Sequence, residues 1–483
     1  MSETRPRRHG FARLVPLFVA LAAMGCVPSL RDNPSREPKK VMPGRFDDTT
    51  DGETWSVGRS SANVTWRTLF ESPELRALID LALRENRELN IQIQEIIIAE
   101  SEVSARRGEM APKVSGQATV GVDKVGRHTQ KGVSDEAHGL PENLGNFGFG
   151  LTSSWEIDVW GKLRAAADAA DFRYRASVEA KRFIVTQIVA EIARSYFEMI
   201  ALDNQIEVVE RNIALLTSSV EVVRAQKEAA RVTELAVVRF EAELSKTKSR
   251  VFELQQARTQ AGHRLNVLVG RAPQPSARDP NACKDPLPGE LHAGLPADLL
   301  ENRADVRRAE LELEAAKLDV KVAKAAFYPS LSIDAGLGYH SFNARHLLST
   351  PDSMEYGLGA NLTAPLLNRK AIEAQYRTAN ALQIQAVLTY EKVLLQAVTD
   401  VANQLAQIGN LQKSYDLRSK QVEALARAVD ISGVLFLSAR ADYGEVLLTR
   451  RESLEGELSL IETKQQQLQA MVNVYQALGG GWR

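Results

Sequence analysis

Cysteine is nearly absent from this 483-residue chain, which holds only Cys26 and Cys283. A disulfide scaffold is therefore excluded. Charge of one sign is also missing. Lys and Arg number 60 against 61 Asp and Glu, for a net charge of −1, and the absence of a basic surplus argues against a nucleic-acid partner. Past residue 25 there is no run of about twenty apolar residues, so no helical membrane span is expected. Histidine is sparse and scattered (His9, His128, His138, His263, His292, His340, His346). No pair has zinc-type helical spacing, and no phosphate-loop motif occurs. Catalysis thus has no visible machinery, and neither a metal nor a cofactor is expected. Taken alone, a mean hydropathy of −0.23 with 6% aromatics describes a large, soluble, helix-rich protein.

What is present begins with a leader. Arg5, Arg7, Arg8 and Arg13 precede the short apolar run 14–23, then Ala22-Ala23-Met24-Gly25-Cys26. This is a secretory signal, too short and wrongly flanked for a span. A cysteine just after the small residues has the form of a lipobox, with Cys26 acylated at the mature N-terminus, although Ala23 stands where leucine is usual. Residues 1–25 are read as signal peptide and 26–66 as an anchor and irregular segment. Losing four arginines and Glu3 takes 60 basic and 61 acidic residues to 56 and 60, a net charge of −4.

An internal repeat organises the remainder. Glu85-Asn86-Arg87 recurs as Glu301-Asn302-Arg303, and Ala111-Pro112-Lys113-Val114-Ser115 is matched by Tyr328-Pro329-Ser330-Leu331-Ser332. Val159-Trp160-Gly161-Lys162 aligns with Leu366-Leu367-Asn368-Arg369, and Gly270 with Gly479. Two copies result, 67–270 and 298–483. The proline-rich stretch 271–297 joins them as an irregular linker, because proline removes backbone donors. Each copy reads helix, strand, strand, long helix, long helix. The first helix is expected over 73–107 and its counterpart over 296–327. The long helices are expected over 160–230, 233–269, 369–438 and 442–478.

The long helices carry seven-residue periodicity. Ile188, Ile192, Met199, Leu202, Ile206, Val209, Ile213, Leu216, Val220 and Val223 form one stripe, interrupted by Ser195. Leu447, Leu454, Ile461, Leu468 and Tyr475 form another. This spacing packs helices side by side as coiled coils. A proline-free stretch from Leu163 to Ala230 spans roughly 100 Å as helix, which implies a rod or tube.

Four segments alternate instead: 113–123, 147–158, 331–340 and 355–365. Each has one apolar face and one small or polar face, over about ten residues, as membrane β-strands do. A soluble sheet packed on helices has the same alternation. Aromatics near the strand ends (Phe147, Trp155, Trp160, Tyr328, Tyr339, Phe342, Tyr356) suit an interfacial girdle. Four strands cannot close a barrel, and open edges are intolerable in lipid, so membrane strands would require several copies to share one barrel. Three copies supply twelve strands.

At this point the chain resembles an outer membrane efflux factor of the TolC/OprM (NodT) type. The matching stretches are Trp66-Arg-Thr-Leu-Phe-Glu-Ser-Pro-Glu-Leu75, Trp155-Glu-Ile-Asp-Val-Trp-Gly-Lys162, Asn302-Arg-Ala-Asp-Val306 with Ala309-Glu310, Phe327-Tyr-Pro-Ser-Leu-Ser332 and Tyr475-Gln-Ala-Leu-Gly-Gly-Gly-Trp482. The resemblance implies a mostly α fold with a small β part, assembled as a homotrimer. A twelve-stranded barrel would sit in outer membrane lipid above an α-helical periplasmic tunnel. It also implies two partners, a periplasmic adaptor (membrane fusion protein) and an inner-membrane pump of the resistance–nodulation–division class, and a gated duct that does no chemistry. Three departures stand out. Ala304 replaces the family's proline in Arg-Pro-Asp, and Ala230 and Arg440 occupy the places of the glycines that turn the two hairpins.

The hairpin tips are the expected periplasmic gate, carried by Asp442, Arg440, Tyr443 and Arg231. Asp442 matches the aspartate that rings the closed aperture in the family. As a residue preceding a helix, it can equally be an N-cap. Three carboxylates about 6 Å apart repel by roughly 3 kcal/mol per pair at an effective dielectric near 20, so a ring calls for cationic partners. Asp123, Glu156, Asp158 and Asp334 lie on polar strand faces and suggest an acidic, cation-preferring lumen. Two alternatives remain at this stage: a duct for type I secretion or metal-ion export, and a periplasmic coiled-coil scaffold lipoprotein.

Overall fold

The computed structural model describes residues 27–30, 33–39, 64–279, 296–438 and 440–482. The leader, Cys26 and part of the 271–297 linker lie outside the described residues. In chain order the elements are α1 (Trp66–Leu69), α2 (Pro73–Glu85), α3 (Arg87–Gly108), β1 (Lys113–Lys124), α4 (Gln130–Ala137), β2 (Asn143–Ile157), α5 (Lys162–Glu228) and α6 (Glu234–Val269). They continue with α7 (Asp298–Asn302), α8 (Ala304–Ala325), β3 (Ser330–Ser341), β4 (Met354–Thr363), α9 (Lys370–Leu437) and α10 (Tyr443–Ala477). The chain is mostly helical with one small sheet, as its periodicity and alternation imply. It divides into two units.

The first unit combines the described N-terminal residues through Pro38 with Ile96–Ala176 and Glu310–Thr389. Its sheet is antiparallel in the order β1-β2-β3-β4, with β2 and β3 joining the two repeats. Among the described residues the outer edges of β1 and β4 pair with nothing. Apolar side chains on these edge strands are uncovered: Val120 and Leu358 are each 81% exposed. Both features leave the sheet unsatisfied as a monomer, because open edges and bare apolar faces invite further strands or lipid. Strand β2 starts at Asn143, four residues before the alternation begins at Phe147, because ladder pairing with β1 runs on through Gly145 and Asn146. The β1–β2 connection holds the helix α4.

The second unit holds the described residues of Lys39–Glu95 with Ser177–Ala309 and Tyr390–Arg483. The α5 stripe is its spine. Ile188, Ile192, Met199, Ile206, Val209, Leu216, Val220 and Val223 are all buried, and so is Ser195, the one polar member. Toward one end they pack with Leu75, Ile79, Leu265, Val269 and Tyr475.

The expected first helix, 73–107, is interrupted. Asn86 closes α2 through its backbone N–H to Ala82 and opens α3 by accepting the Leu89 N–H at 2.9 Å. Its side chain also donates to the Leu268 carbonyl at 2.7 Å, at the end of α6. The counterpart over 296–327 breaks likewise, at Arg303. Asn86 and Arg303 are therefore the equivalent positions, so the recurring Glu-Asn-Arg triplet is displaced by one residue in space. Two glycines complete the symmetry. Gly270 lies against Glu85 and Asn86, and Gly479 against Asn302 and Arg303. The strand-to-helix turns match too, since Gly161 and Asn368 are both left-handed, at φ 71° and 51°.

Ala304 is the first residue of α8, and Arg303 before it is extended, at φ −84° and ψ 115°. An N-terminal helix position has no acceptor for its amide, and an extended predecessor is what proline requires. We expect Ala304→Pro to stabilise the chain by about 0.4–1 kcal/mol through the unfolded state. Thermal unfolding followed by circular dichroism checks this, and a lowered midpoint contradicts it.

Candidate functional site

The hairpin tips, all within the second unit, are built on two turns. Helix α5 ends in a left-handed Ala230, at φ 48°, with the Arg231 N–H bonded to the Gln226 carbonyl at 2.8 Å. This six-residue closure is a Schellman motif. At the second turn the Arg440 N–H bonds the Leu435 carbonyl at 2.9 Å. Arg440 thus stands where Arg231 does and not where Ala230 does. The expectation that Arg440 replaces the turn glycine is corrected by one residue, because Arg440 matches Arg231 and the counterpart of Ala230 is the position before it. That position, 439, lies outside the described residues. The alanine assignment in the first turn agrees with the structure.

Asp442 sits at the N-cap of α10 with extended backbone, φ −79° and ψ 151°, and makes no side-chain cap hydrogen bond. Of its two possible roles, the capping one is not exercised here. The carboxylate is exposed, as are Arg231 and Arg440, and no ion pair joins Asp442 to either arginine among the described residues. Instead, Lys227 pairs with Glu234 across the first turn.

Tyr443 is placed differently from the three charges. With Phe436 and Leu447 it packs on a cluster of Leu216, Val220, Val223, Ala236, Val237 and Phe240. The two hairpins are therefore clamped just behind their tips by apolar contact, while the charges project beyond it. Phe436 belongs to this clamp and was not singled out in the sequence. Its only signal is that of an apolar residue late in a long helix.

In the first unit the four acidic candidates each have partners. Asp123 accepts from Asn146 Nδ2 at 2.7 Å, and Glu156 from Lys162 Nζ at 2.9 Å. Asp158 accepts the backbone N–H groups of Leu163 and Arg164 at 3.1 and 3.0 Å, capping the start of α5. Burial pushes the Asp158 carboxyl upward, but these amides and the Arg164 guanidinium outweigh it and hold its pKa below the ordinary value. Asp334 alone sits mid-sheet. It accepts from Ser154 Oγ at 2.7 Å and Asn361 Nδ2 at 2.6 Å, tying β2, β3 and β4 across one face. The aromatics divide between the two ends of the sheet, with Phe147, Tyr339, Phe342 and Tyr356 at the loop end and Trp155, Trp160 and Tyr328 at the strand-to-helix end. Trp160 stacks on Tyr328 with centroids 4.8 Å apart and donates to the Pro329 carbonyl, and Trp155 donates to Met110.

The sequence model of a family described as "Outer membrane efflux protein" matches residues 78–271 and 295–480, one stretch per repeat. The chain is 29% identical to the pyoverdine export outer membrane protein OpmQ of Pseudomonas aeruginosa, covering 89% of this chain and 90% of that one. It is 26% identical to the cation efflux system protein CusC of Escherichia coli strain K12, over 97% of this chain and 99% of that one. Among solved structures, the outer-membrane channel OprN superposes with a TM-score of 0.84 at 24% identity, covering 93% of this chain and 99% of that chain.

Proposed function

The chain belongs to the outer membrane efflux protein family, an exit duct in the outer membrane, and from that premise we propose how it works. Three copies join β4 of one to β1 of the next and close a twelve-stranded barrel. The observation that carries this reading is the four-stranded sheet, with two edges unpaired among the described residues and uncovered apolar faces. Closure satisfies both at once, since a barrel has no edge and turns its apolar face to lipid. Acyl chains on Cys26 add an anchor. A periplasmic adaptor and an inner-membrane pump of the resistance–nodulation–division class deliver the cargo. The pump sets the cargo class, which fits relatives named for pyoverdine in one case and for cations in another.

The gate is the ring of hairpin tips. Asp442, with its carboxylate uncommitted to the helix cap, faces its two copies, and Arg440 and Arg231 supply the countercharge. Adaptor contact exchanges these polar interactions and lets the tips part. Tyr443 acts behind the ring, holding the two hairpins of one chain together, so each chain's tips move as a pair. In the barrel, Asp334 is the mid-sheet lumen acid that bears on ion preference, because its partners Ser154 and Asn361 are neutral, whereas Glu156 pairs with Lys162 and Asp158 with Arg164 at the strand ends.

Planar-bilayer recording tests the gate. Asp442→Ala is expected to raise the closed-state conductance several-fold, with the protein still migrating as a trimer in mild detergent. Unchanged conductance removes Asp442 from the gate, and a monomer in detergent removes the shared barrel.

A further inference from the structure

Two buried side chains of the first unit have no task in the duct. Asn380 and Gln383, one helical turn apart on α9, are 1% and 2% exposed. Both are turned toward the stretch Asn33-Pro34-Ser35-Arg36 near the N-terminus. Asn380 Nδ2 donates to the Asn33 carbonyl at 2.7 Å, and its Oδ1 accepts from Ser35 Oγ at 2.7 Å. Gln383 Oε1 accepts the Arg36 N–H at 3.2 Å, and its Nε2 donates to the Arg36 carbonyl at 2.6 Å. One residue on, Glu37 pairs with Lys317 of α8 at 3.3 Å.

Each amide therefore spends a donor and an acceptor on the same strand. Three of these four bonds go to backbone, so the recognition reads main-chain geometry more than sequence. Pro34, within the contact, and Pro38, just after it, keep the strand extended before it docks, which reduces the ordering it must undergo.

We propose that Asn380 and Gln383 form a docking site for an extended peptide, filled by residues 33–36 of the same chain, and that this dock fixes the height of the lipid anchor. The second half rests on the reading of Cys26 as the acylated residue. Reach supports it. Six residues, and so seven Cα–Cα steps, separate Cys26 from Asn33, a span of at most about 25 Å. Asn380 lies ten residues into α9, about 15 Å from the end next to β4. The leaflet at that strand-to-helix end is within reach. The far end of β4, more than 20 Å beyond even when tilted, is not. Anchor and barrel are thereby held to the same bilayer position.

Trypsin tests the dock on the full, solubilised chain. Cleavage after Arg36 and Lys39 is expected to be slow in the native protein. In Asn380→Ala/Gln383→Ala it should be roughly tenfold faster or more, because cleavage follows the undocked population. Equal rates in the two proteins overturn the dock. If the double variant no longer forms trimers, Arg36→Pro decides instead. It removes the N–H read by Gln383 without touching α9. Faster cleavage after Lys39 upholds the dock, and unchanged cleavage overturns it.

Height is tested by deleting residues 28–31 from acylated protein in phospholipid vesicles. The two residues left, spanning three Cα–Cα steps, reach about 10 Å, short of the leaflet. The strand should then undock, and Cys26→Ser in the same deletion should restore protection. A deletion that stays protected while acylated overturns the height role. Palmitate labelling of Cys26 is read separately. Its absence refutes the anchor, and the height role with it, whereas the dock is judged on the cleavage rates alone.

Discussion

Gly479→Ala should cost the protein about 3 kcal/mol or more, and Gly270→Ala a similar amount. Two penalties coincide at each position. Gly270 and Gly479 have φ of 82° and 88°, in the left-handed region where a side chain is disfavoured by about 1–2 kcal/mol. A Cβ at Gly479 would lie 2.5 Å from the Asn302 carbonyl oxygen and 2.9 Å from the Arg303 nitrogen. At Gly270 it would lie 2.7 Å from the Glu85 carbonyl carbon. Those neighbours are backbone atoms at a helix junction, so relief requires moving α2 or α7 and adds about 1–3 kcal/mol. Gly433, inside α9 with open space around its Cβ position, is the control. Gly433→Ala should stabilise by roughly 0.5–1 kcal/mol through helix propensity. Circular dichroism melts compare the three variants. A Gly479→Ala midpoint no lower than that of Gly433→Ala would show that the junction tolerates displacement.

These glycines mark what the sequence made legible and what it concealed. The seven-residue stripe from Ile188 to Val223 identified α5 and its buried face, because apolar recurrence is a local signal that tertiary packing then uses unchanged. Alternation in Leu331–Tyr339 likewise identified β3, and the register with β2 follows it residue by residue. The helix breaks were concealed. Asn86 is polar inside a helical pattern, where it reads as a solvated position. Only its contact with the distant Leu268 carbonyl shows that it is a buried double cap. At the equivalent place in the second repeat, the proline that would have punctuated the helix is absent, leaving Ala304 to read as ordinary helix.

The candidate site divides on the same principle. Asp442 was legible as a tip residue because it follows the turn in the chain. Tyr443, its neighbour, was grouped with it by adjacency, yet the helix phase turns it toward Phe436 and the first hairpin. The four lumen acids shared one face by alternation. Whether each is free for ions depended on partners such as Lys162, Asn146 and Asn361, and alternation is silent about those. Two of the four partner sets lie close in sequence, whereas the Asp123 set spans two strands and the Asp334 set three.

Arg303→Met should destabilise the chain by about 3–5 kcal/mol, and Arg303→Lys by less. Arg303 is 7% exposed and its guanidinium sits where α8, α9 and α10 meet. It forms a two-toothed pair with Asp305, at 3.0 and 2.7 Å, and reaches Asp400 at 3.3 Å and the Ala477 carbonyl at 3.1 Å. Burial acts against its charge, but the two carboxylates prevail and raise its pKa above the usual arginine value. Methionine fills a similar volume and removes the charge, leaving Asp305 and Asp400 facing each other beside an unpaired carbonyl. Lysine keeps the charge and loses the fork, so it can serve one carboxylate at a time. The ordering native, lysine, methionine in thermal midpoint is therefore the expected result. Adding Asp305→Asn and Asp400→Asn to the methionine variant should recover part of the loss, because what destabilises it is the stranded negative charge and not the missing volume. A methionine variant that melts with the lysine one, and gains nothing from the asparagines, would place the role of Arg303 in packing alone. Asn86, the neutral cap at the equivalent place in the first repeat, has no such charge to strand. Asn86→Ala should accordingly cost about 1–2 kcal/mol, the scale of a lost cap and one buried hydrogen bond.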